Sequence, residues 1–184
     1  MNPKNLEEVT LKLEEDISRN HPDLYFDYAG IIPTTDKEFR YDLTPLNSFV
    51  FARTGGDGVH YSFFEVTDEV TLIIMTVPCN YFNRIDEANI ILAESLFEFL
   101  GLGYYKGWFS LEQICYNEQS ALSYFSEEKS DNDSSENGED IFIKKLREVL
   151  NYDYVKLDLN RLNDLKMKYF NLLKFDPKYS NDLK

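Results

Sequence analysis

The residues most able to do chemistry are concentrated in Thr54–His60, TGGDGVH. The imidazole of His60 and the carboxylate of Asp57 are groups that a hydrolytic or metal-dependent site uses as a base or a ligand. Glycine, which permits positive φ and close backbone approach, occupies Gly55, Gly56 and Gly58. The segment lacks the Gly-Lys-Ser/Thr end of a P-loop and does not open a helix as a dinucleotide fingerprint does. The pattern therefore favours a tight structural hairpin turn over 54–58, and a ligand site there is the weaker alternative.

The sheet face that His60 occupies depends on the register of this hairpin. A two-residue loop at Gly-Gly would place His60 opposite Phe51, and one at Asp-Gly would place it opposite Gly55. Both registers put it on a mostly apolar face with Phe49, Phe51, Arg53, Ser62 and Phe64. A buried, hydrogen-bonded histidine is favoured over a catalytic base. His60, Arg53 and Asp57 are retained as candidate binding residues.

Metal-ligand and nucleophile patterns are weak in this sequence. It contains no H-E-x-x-H and no C-x-x-C. A partial calcium-loop match that starts at Asp133 fails at its last position, where a bidentate Glu is needed and Lys144 stands. Cys79 follows the strand after His60, but no third residue completes a nucleophilic set. We predict no catalytic residue, no metal and no cofactor.

An aromatic loop over residues 103–109, GYYKGWF, is a candidate interface. Tyr104, Tyr105 and Trp108 are its candidate binding residues, because Trp and Tyr dominate interface hot spots. The alternative is that the aromatic side chains close an edge of the core, and this is the more common role of such a loop.

The elements that must position these residues form an α+β fold. Leu6, Val9, Leu13 and Ile17 recur at helical spacing and predict an amphipathic helix over 3–19. β-branched and aromatic runs separated by Gly/Asp turns predict an antiparallel meander over 48–77. Its third strand is apolar on both faces, so we expect it to be internal and covered on both sides. Helices at the N and C termini are expected to pack on this sheet.

Other stretches give less direct signals. Alternating residues over 23–45 predict short strands. Ala88, Leu92, Leu96 and Phe99 predict a helix that ends at Gly101. Ser110–Gln113 matches a capping box, and apolar spacing predicts helices near 142–150 and 159–173.

Charge and composition restrict the class of protein. The chain has 184 residues and a formal net charge of −14, and residues 126–140 contain seven acids and one lysine. We expect one domain over 1–184, with 126–140 as a mobile acidic loop. Such a charge disfavours nucleic-acid and anionic-membrane partners. The longest apolar run is too short to span a bilayer, no signal peptide is evident, and Cys79 and Cys115 are expected to be reduced. The composition predicts a cytoplasmic protein.

The central region resembles members of the SUKH superfamily. The resemblance covers roughly residues 24–115 and rests on TPLNSFVFARTGGDGVHYSFFEV, the strand end MTVPCN and the helix end ESLFEFLGLG. The superfamily comprises α+β proteins, bacterial toxin-immunity proteins and fungal cell-wall regulators among them. The resemblance implies a non-catalytic protein that binds and masks a bacterial toxin.

The leading functional hypothesis is therefore a protein-binding module, not an enzyme. Its partner is expected to be a basic toxin domain, such as a nuclease, because an acidic surface steers a basic partner. The alternatives are a small-ligand or regulatory domain that uses the turn at 54–58, or a hydrolase that uses His60 and Asp57. The oligomeric state is left open.

Overall fold

The computed structural model describes residues 3–24, 28–34, 36, 39–78, 84–127 and 137–179. It confirms the α+β class: a five-stranded antiparallel sheet has its strands in chain order, and helices pack on it. The strands are β1 (Ile32–Pro33), β2 (Phe49–Arg53), β3 (His60–Glu65), β4 (Thr71–Thr76) and β5 (Asn89–Ala93). The helices are α1 (Pro3–Asn20), α2 (Ile85–Ala88), α3 (Leu96–Leu102), α4 (Gln113–Tyr116), α5 (Glu118–Ser126), α6 (Gly138–Leu150) and α7 (Leu159–Tyr169), with 3₁₀ turns at Phe109–Glu112, Phe170–Leu172 and Pro177–Tyr179.

β4 is the internal strand that the sequence predicts. It pairs with β3 on one side and β5 on the other. Ile73 and Met75 join the larger core, whereas Leu72 and Ile74 join a separate apolar cluster. Successive side chains of a strand point to opposite faces, so both faces of β4 are covered.

The first face of the sheet is covered by α1, α3 and α6. Leu6, Leu13 and Ile17 of α1 are buried in the larger core, and so are Phe99 of α3 and Phe142 of α6. The residues whose spacing predicted an amphipathic helix thus form the buried stripe of α1.

The second face is covered over β4 and β5 by α7. Leu165 and Tyr169 pack on Leu72, Ile74 and Ile91. Ion pairs flank this apolar contact: Arg161 lies 2.6 Å from Glu94 and 3.0 Å from Glu98, and Lys166 lies 2.6 Å from Asp86. The hydrogen bonds from Tyr169, Arg161 and Lys168 lower the pKa of Glu94 to about 2.

The helix predicted from Ala88 to Phe99 is wrong in its first half. Asn89–Ala93 forms β5, paired with β4, and a separate helix follows from Leu96. β-branched Ile90 and Ile91 suit a strand, and the free edge of β4 supplies its partner. Gly101 lies within α3, and Gly103 is the C-cap residue.

Three other local predictions are also corrected. In the described part of 23–45 the strand is Ile32–Pro33, while Tyr41–Thr44 forms a turn closed by the Thr44 N–H on Tyr41 O. Ser110–Gln113 forms no side-chain cap, because the chain there is already a 3₁₀ turn. The predicted acidic loop is shorter than 126–140, since α5 includes Ser126 and the Asn137 side chain accepts from Asp140 N–H to cap α6. Residues 128–136 of that loop lie outside the described residues.

Candidate functional site

The glycine-rich turn is a four-residue loop, Gly55–Gly58, between the paired residues Thr54 and Val59. Thr54 N–H donates to Val59 O at 3.0 Å, and Val59 N–H donates to Gly56 O at 3.1 Å. Asp57 and Gly58 have φ of 47° and 73°, and Gly55 has φ of 91°. Neither of the two-residue loops predicted from the sequence is present, because Gly55 and Gly56 belong to the loop together with Asp57 and Gly58. Arg53 therefore lies opposite His60.

The left-handed backbone at Gly55 and Gly58 is matched by close packing. A Cβ on Gly58 would lie 2.7 Å from Cζ of Tyr41, and one on Gly55 would lie 2.9 Å from Cδ1 of Ile32. These two glycines are required for the turn, as the sequence predicts, because other residues tolerate this backbone poorly.

His60 is fully buried and hydrogen-bonded through both ring nitrogens. Its Nδ1 lies 2.7 Å from Gly58 O, and its Nε2 lies 3.0 Å from Oγ1 of Thr44. A carbonyl only accepts, so Nδ1 carries the proton and Nε2 accepts from the Thr44 hydroxyl. Burial lowers the pKa of His60. The predicted buried structural histidine is therefore found, and His60 is removed from the surface that a partner can contact.

The side chains that share a face with His60 differ in part from the prediction: Arg53 lies opposite His60 as a neighbour on the same face, but Phe51 does not share that face. A β-bulge between Val50 and Ala52 places Phe51 with Tyr61 and Phe63 in the larger core. One extra residue in β2 changes which side chains share a face with β3. His60 instead stacks on Tyr41, with ring centroids 5.7 Å apart.

A row of polar residues continues from His60 across the second face of the sheet. His60 pairs with Thr76 of β4, and Thr76 pairs with Asn89 of β5. Thr76 Oγ1 donates to Asn89 Oδ1 at 2.8 Å, and Asn89 Nδ2 donates to the carbonyls of Ile85 and Leu43. This row attaches the irregular segment 39–44 to the sheet and is a structural network.

Trp108 is also buried completely, so its assignment as a binding residue is wrong. Its Nε1–H donates to Phe99 O at 3.1 Å, and its own carbonyl accepts from the Tyr61 hydroxyl at 2.7 Å. The alternative prediction, that this loop closes the core, is correct for Trp108. The residue that remains accessible is its neighbour Phe109, which is 49% exposed.

Phe109 lies against the tip of the glycine-rich turn. Its Cε2 would be 3.4 Å from a Cβ on Gly56. Asp57 at the tip is exposed, and burial together with the negative charge of Asp57 raises the pKa of Glu112. Tyr41, 40% exposed, touches the other side of the turn at Gly58. We call Tyr41, Asp57, Phe109 and Glu112 the turn surface.

The sequence predicts only part of the turn surface. Asp57 was predicted as a candidate binding residue. Phe109 was not, although it lies in the aromatic loop that was predicted as a candidate interface, next to the candidate residue Trp108. Tyr41 and Glu112 carry no local signal, because they reach the turn through the fold of distant segments. Arg53 is exposed at the base of the turn.

Tyr104 and Tyr105 lie in a different place from the turn, in a half-buried tyrosine cluster. Their ring centroids are 4.8 Å apart, and Tyr105 lies 4.8 Å from Tyr154. The guanidinium of Arg147 lies 4.6 Å from the centroid of Tyr104. The structure therefore separates the two tyrosines from His60, Arg53 and Asp57, and the six candidates do not form one site.

Within the described residues, the structure contains no group of three His, Cys, Asp or Glu residues placed to hold a metal ion. Cys115 is a free thiol whose pKa burial raises to about 12, which opposes thiolate chemistry. Cys79 lies outside the described residues. A cavity of about 60 Å³ between β5, α4 and α7 is much smaller than typical metabolite pockets.

No family model, no curated protein and no solved structure matches this chain. The resemblance to the SUKH superfamily therefore stays a prediction. No helix in the described parts of the chain is long and apolar enough to cross a membrane.

Proposed function

We propose that this chain is a non-catalytic protein-binding module that masks a basic protein, in the manner of a toxin-immunity protein. The observation that carries the proposal is the turn surface. A hydrogen-bonded turn presents the carboxylate of Asp57 between two exposed aromatic rings, Phe109 and Tyr41. Aromatic anchors beside a charged group are typical of interface hot spots.

The burial of His60 supports binding over catalysis. A general base must reach the proton that it removes. Both nitrogens of His60 are occupied by Gly58 and Thr44, and the side chain has no exposed surface. His60 therefore stabilises the conformation of the turn, and the exposed residues of the turn contact the partner.

Charge defines the class of partner. The net charge of −14 speeds the approach of a basic protein and slows that of an acidic one. Nuclease toxins are one basic class, since they must hold phosphates. The cytoplasmic location is part of this proposal, and the free thiol of Cys115 is consistent with a reducing compartment.

The test is binding to the products of the genes adjacent to the gene for this chain, measured by surface plasmon resonance at low and high salt. We expect the association rate to fall with salt, because ions screen steering. Phe109→Ser should weaken binding about tenfold or more, mainly through the dissociation rate. Asp57→Asn, which keeps a residue that tolerates positive φ, should slow association.

Matched controls are Phe97→Ser and Asp164→Asn, which alter an exposed phenylalanine and an exposed aspartate on other elements. Both should bind like the parent. The proposal is wrong if none of these products binds, or if the turn-surface variants bind as the controls do. Turnover or tight retention of a small molecule by the purified chain would favour the ligand or hydrolase alternatives.

A further inference from the structure

A tight turn, Tyr28–Ile31, packs against the aromatic loop. The N–H of Ile31 donates to Tyr28 O at 3.0 Å, and the two central residues, Ala29 and Gly30, have φ of 54° and 82°. Positive φ at both central positions is the pattern of a type I′ turn. Alanine adopts this backbone poorly, so contacts outside the turn must hold it in this conformation.

The carbonyl of Ala29 holds the end of the aromatic loop. It accepts from the N–H of Trp108 at 2.7 Å and from the N–H of Phe109 at 3.2 Å. At Gly107, φ is 73°, and a Cβ there would lie 2.8 Å from this carbonyl oxygen. A residue larger than glycine at this position would therefore push the two segments apart.

Gly30 lets the backbone of Phe109 approach more closely than a residue with a side chain would. A Cβ on Gly30 would lie 2.3 Å from the backbone N and 2.5 Å from Cα of Phe109. These are backbone atoms, which cannot rotate away as the end of a side chain can, so the loop would have to move. Gly30 is buried, whereas the side chain of Phe109 is 49% exposed. The turn therefore fixes the origin of this exposed ring without covering the ring.

The residue after this turn contacts the other part of the turn surface. A Cβ on Gly55 would lie 2.9 Å from Cδ1 of Ile32, and one on Gly56 would lie 3.4 Å from Cε2 of Phe109. Segment 29–32 thus contacts the aromatic loop through its backbone and the glycine-rich turn through Ile32. The two parts of the turn surface share one support.

We propose that the Tyr28–Ile31 turn is a positioning element for partner binding, in which Gly30 and the Ala29 carbonyl fix Phe109 against the glycine-rich turn in the free protein. Because the ring is already ordered, its ordering costs no affinity when the complex forms. Loosening the turn should therefore raise the dissociation rate. Ala29 and Gly30 are buried and act only through Phe109. The inference rests on the proposed function for the existence of the partner, but the position of Phe109 can be measured without one.

The position of Phe109 is tested on the free chain by nuclear magnetic resonance. The parent should show nuclear Overhauser effects between the ring protons of Phe109 and the α protons of Gly56, because the ring lies against that residue. Gly30→Ala should lose them. Ala29→Gly should keep them, because glycine adopts positive φ without strain and leaves the carbonyl in place. Gly107→Ala, which strains the same contact from the opposite side, should weaken them and is the second variant if Gly30→Ala does not fold.

The effect on binding is tested with the adjacent-gene product that binds the parent. Gly30→Ala should raise the dissociation rate about fivefold or more, and Ala29→Gly should bind like the parent. In a Phe109→Ser background, Gly30→Ala should have no further effect, because the ring that it displaces is absent. Leu165→Ala is the control for stability, since it empties a buried site in the separate apolar cluster on the second face. It should leave the dissociation rate unchanged, and circular dichroism checks that each variant folds.

The inference is overturned if Gly30→Ala, or Gly107→Ala in its place, folds and keeps the ring contacts and the dissociation rate of the parent. It is also overturned if Gly30→Ala weakens binding equally with and without the Phe109 ring, or only as much as Leu165→Ala does, since the effect would then come from stability alone.

Failure of the proposed function gives a different result, in which no adjacent product binds or Phe109→Ser binds like the parent. The ring contacts then decide the positioning by themselves. Their loss in Gly30→Ala upholds it, and their retention overturns it.

Discussion

The two faces of the sheet are covered by different means. On the first face, α1, α3 and α6 contribute apolar side chains that pack around Trp108 and Phe99. On the second face, α7 covers β4 and β5, but the irregular segment 39–44 covers the polar row of His60, Thr76 and Asn89. The first face is stabilised by burial, and the second depends in part on specific hydrogen bonds.

This difference shows where the chain tolerates change. Apolar packing is non-directional, so a core position accepts several side chains of similar volume. A buried polar row does not, because removing one partner leaves others unsatisfied. Segment 39–44 packs on the second face, and it contributes Tyr41 to the turn surface. The following substitutions test this distinction.

Trp108→Ala should cause the largest loss. It empties a fully buried site in the first-face core and removes the hydrogen bond to Phe99 O. We expect the free energy of unfolding to fall by about 3–5 kcal/mol. Urea denaturation followed by circular dichroism measures it. The adjacent Phe109→Ala should cost less than about 1 kcal/mol, as expected for an exposed ring. Equal losses for the two variants would show that the burial assignment is wrong.

Asn89→Leu tests the polar row with a side chain of similar size. It leaves the Thr76 hydroxyl and the carbonyls of Ile85 and Leu43 without their partner. The expected cost is about 1–3 kcal/mol by urea denaturation. The exposed Asn163→Leu on α7 should change stability by less than about 0.5 kcal/mol. A neutral Asn89→Leu would mean that the second face tolerates apolar replacement as the first does.

Gly58→Ala tests the contact between the turn and Tyr41 of segment 39–44. Positive φ and the contact with Tyr41 should lower stability by about 1–2 kcal/mol, measured as a shift in melting temperature. Gly56→Ala is the internal control, because φ at Gly56 is not positive and its Cβ would make an ordinary contact with Phe109. We expect a change below about 0.5 kcal/mol for that variant. Identical melting of both variants would contradict the geometry of the turn.

The smallest expected effect is a pH dependence from His60. Because burial lowers the pKa of His60 in the folded state, the unfolded chain takes up this proton first as pH falls below 6.5. The contribution of His60 to stability is therefore complete above pH 6.5 and decreases below it. The urea midpoint of unfolding should decrease in the parent between pH 7 and pH 5. The part of this decrease that is due to His60 should be absent in His60→Gln.

Two glutamate carboxyl groups must be separated from this effect. The contribution of Glu94, whose pKa is lowered to about 2, is present above its ordinary pKa of 4.5 and is lost only below that value. Burial raises the pKa of Glu112, so its effect on stability has the opposite sign to that of His60. Both groups are unchanged in His60→Gln, and the difference between the two profiles reports His60 alone. A decrease of the same size in His60→Gln would contradict the assignment.

Local sequence patterns predicted the elements that have a continuous apolar face. The helical spacing of Leu6, Leu13 and Ile17 corresponds directly to α1, and the apolar run Leu72–Met75 corresponds to the internal strand β4. The need for Gly55 and Gly58 also followed from the sequence, because backbone conformation at a turn depends on the residue itself. In these cases the information lies within a few neighbouring residues.

The rest was decided by partners that are distant in the chain. The helical spacing of Ala88, Leu92, Leu96 and Phe99 was misleading, because Asn89–Ala93 forms β5 by pairing with the edge of β4. The bulge in β2 placed Phe51 on the face opposite His60, and His60 contacts Thr44 and Tyr41 instead. Trp108 is buried, whereas the adjacent Phe109 is exposed. Which aromatic side chain is exposed, and which carboxylate lies beside Asp57, depends on how segments far apart in sequence pack. Periodicity within one segment contains no information about that packing, so only the tertiary structure determines the turn surface.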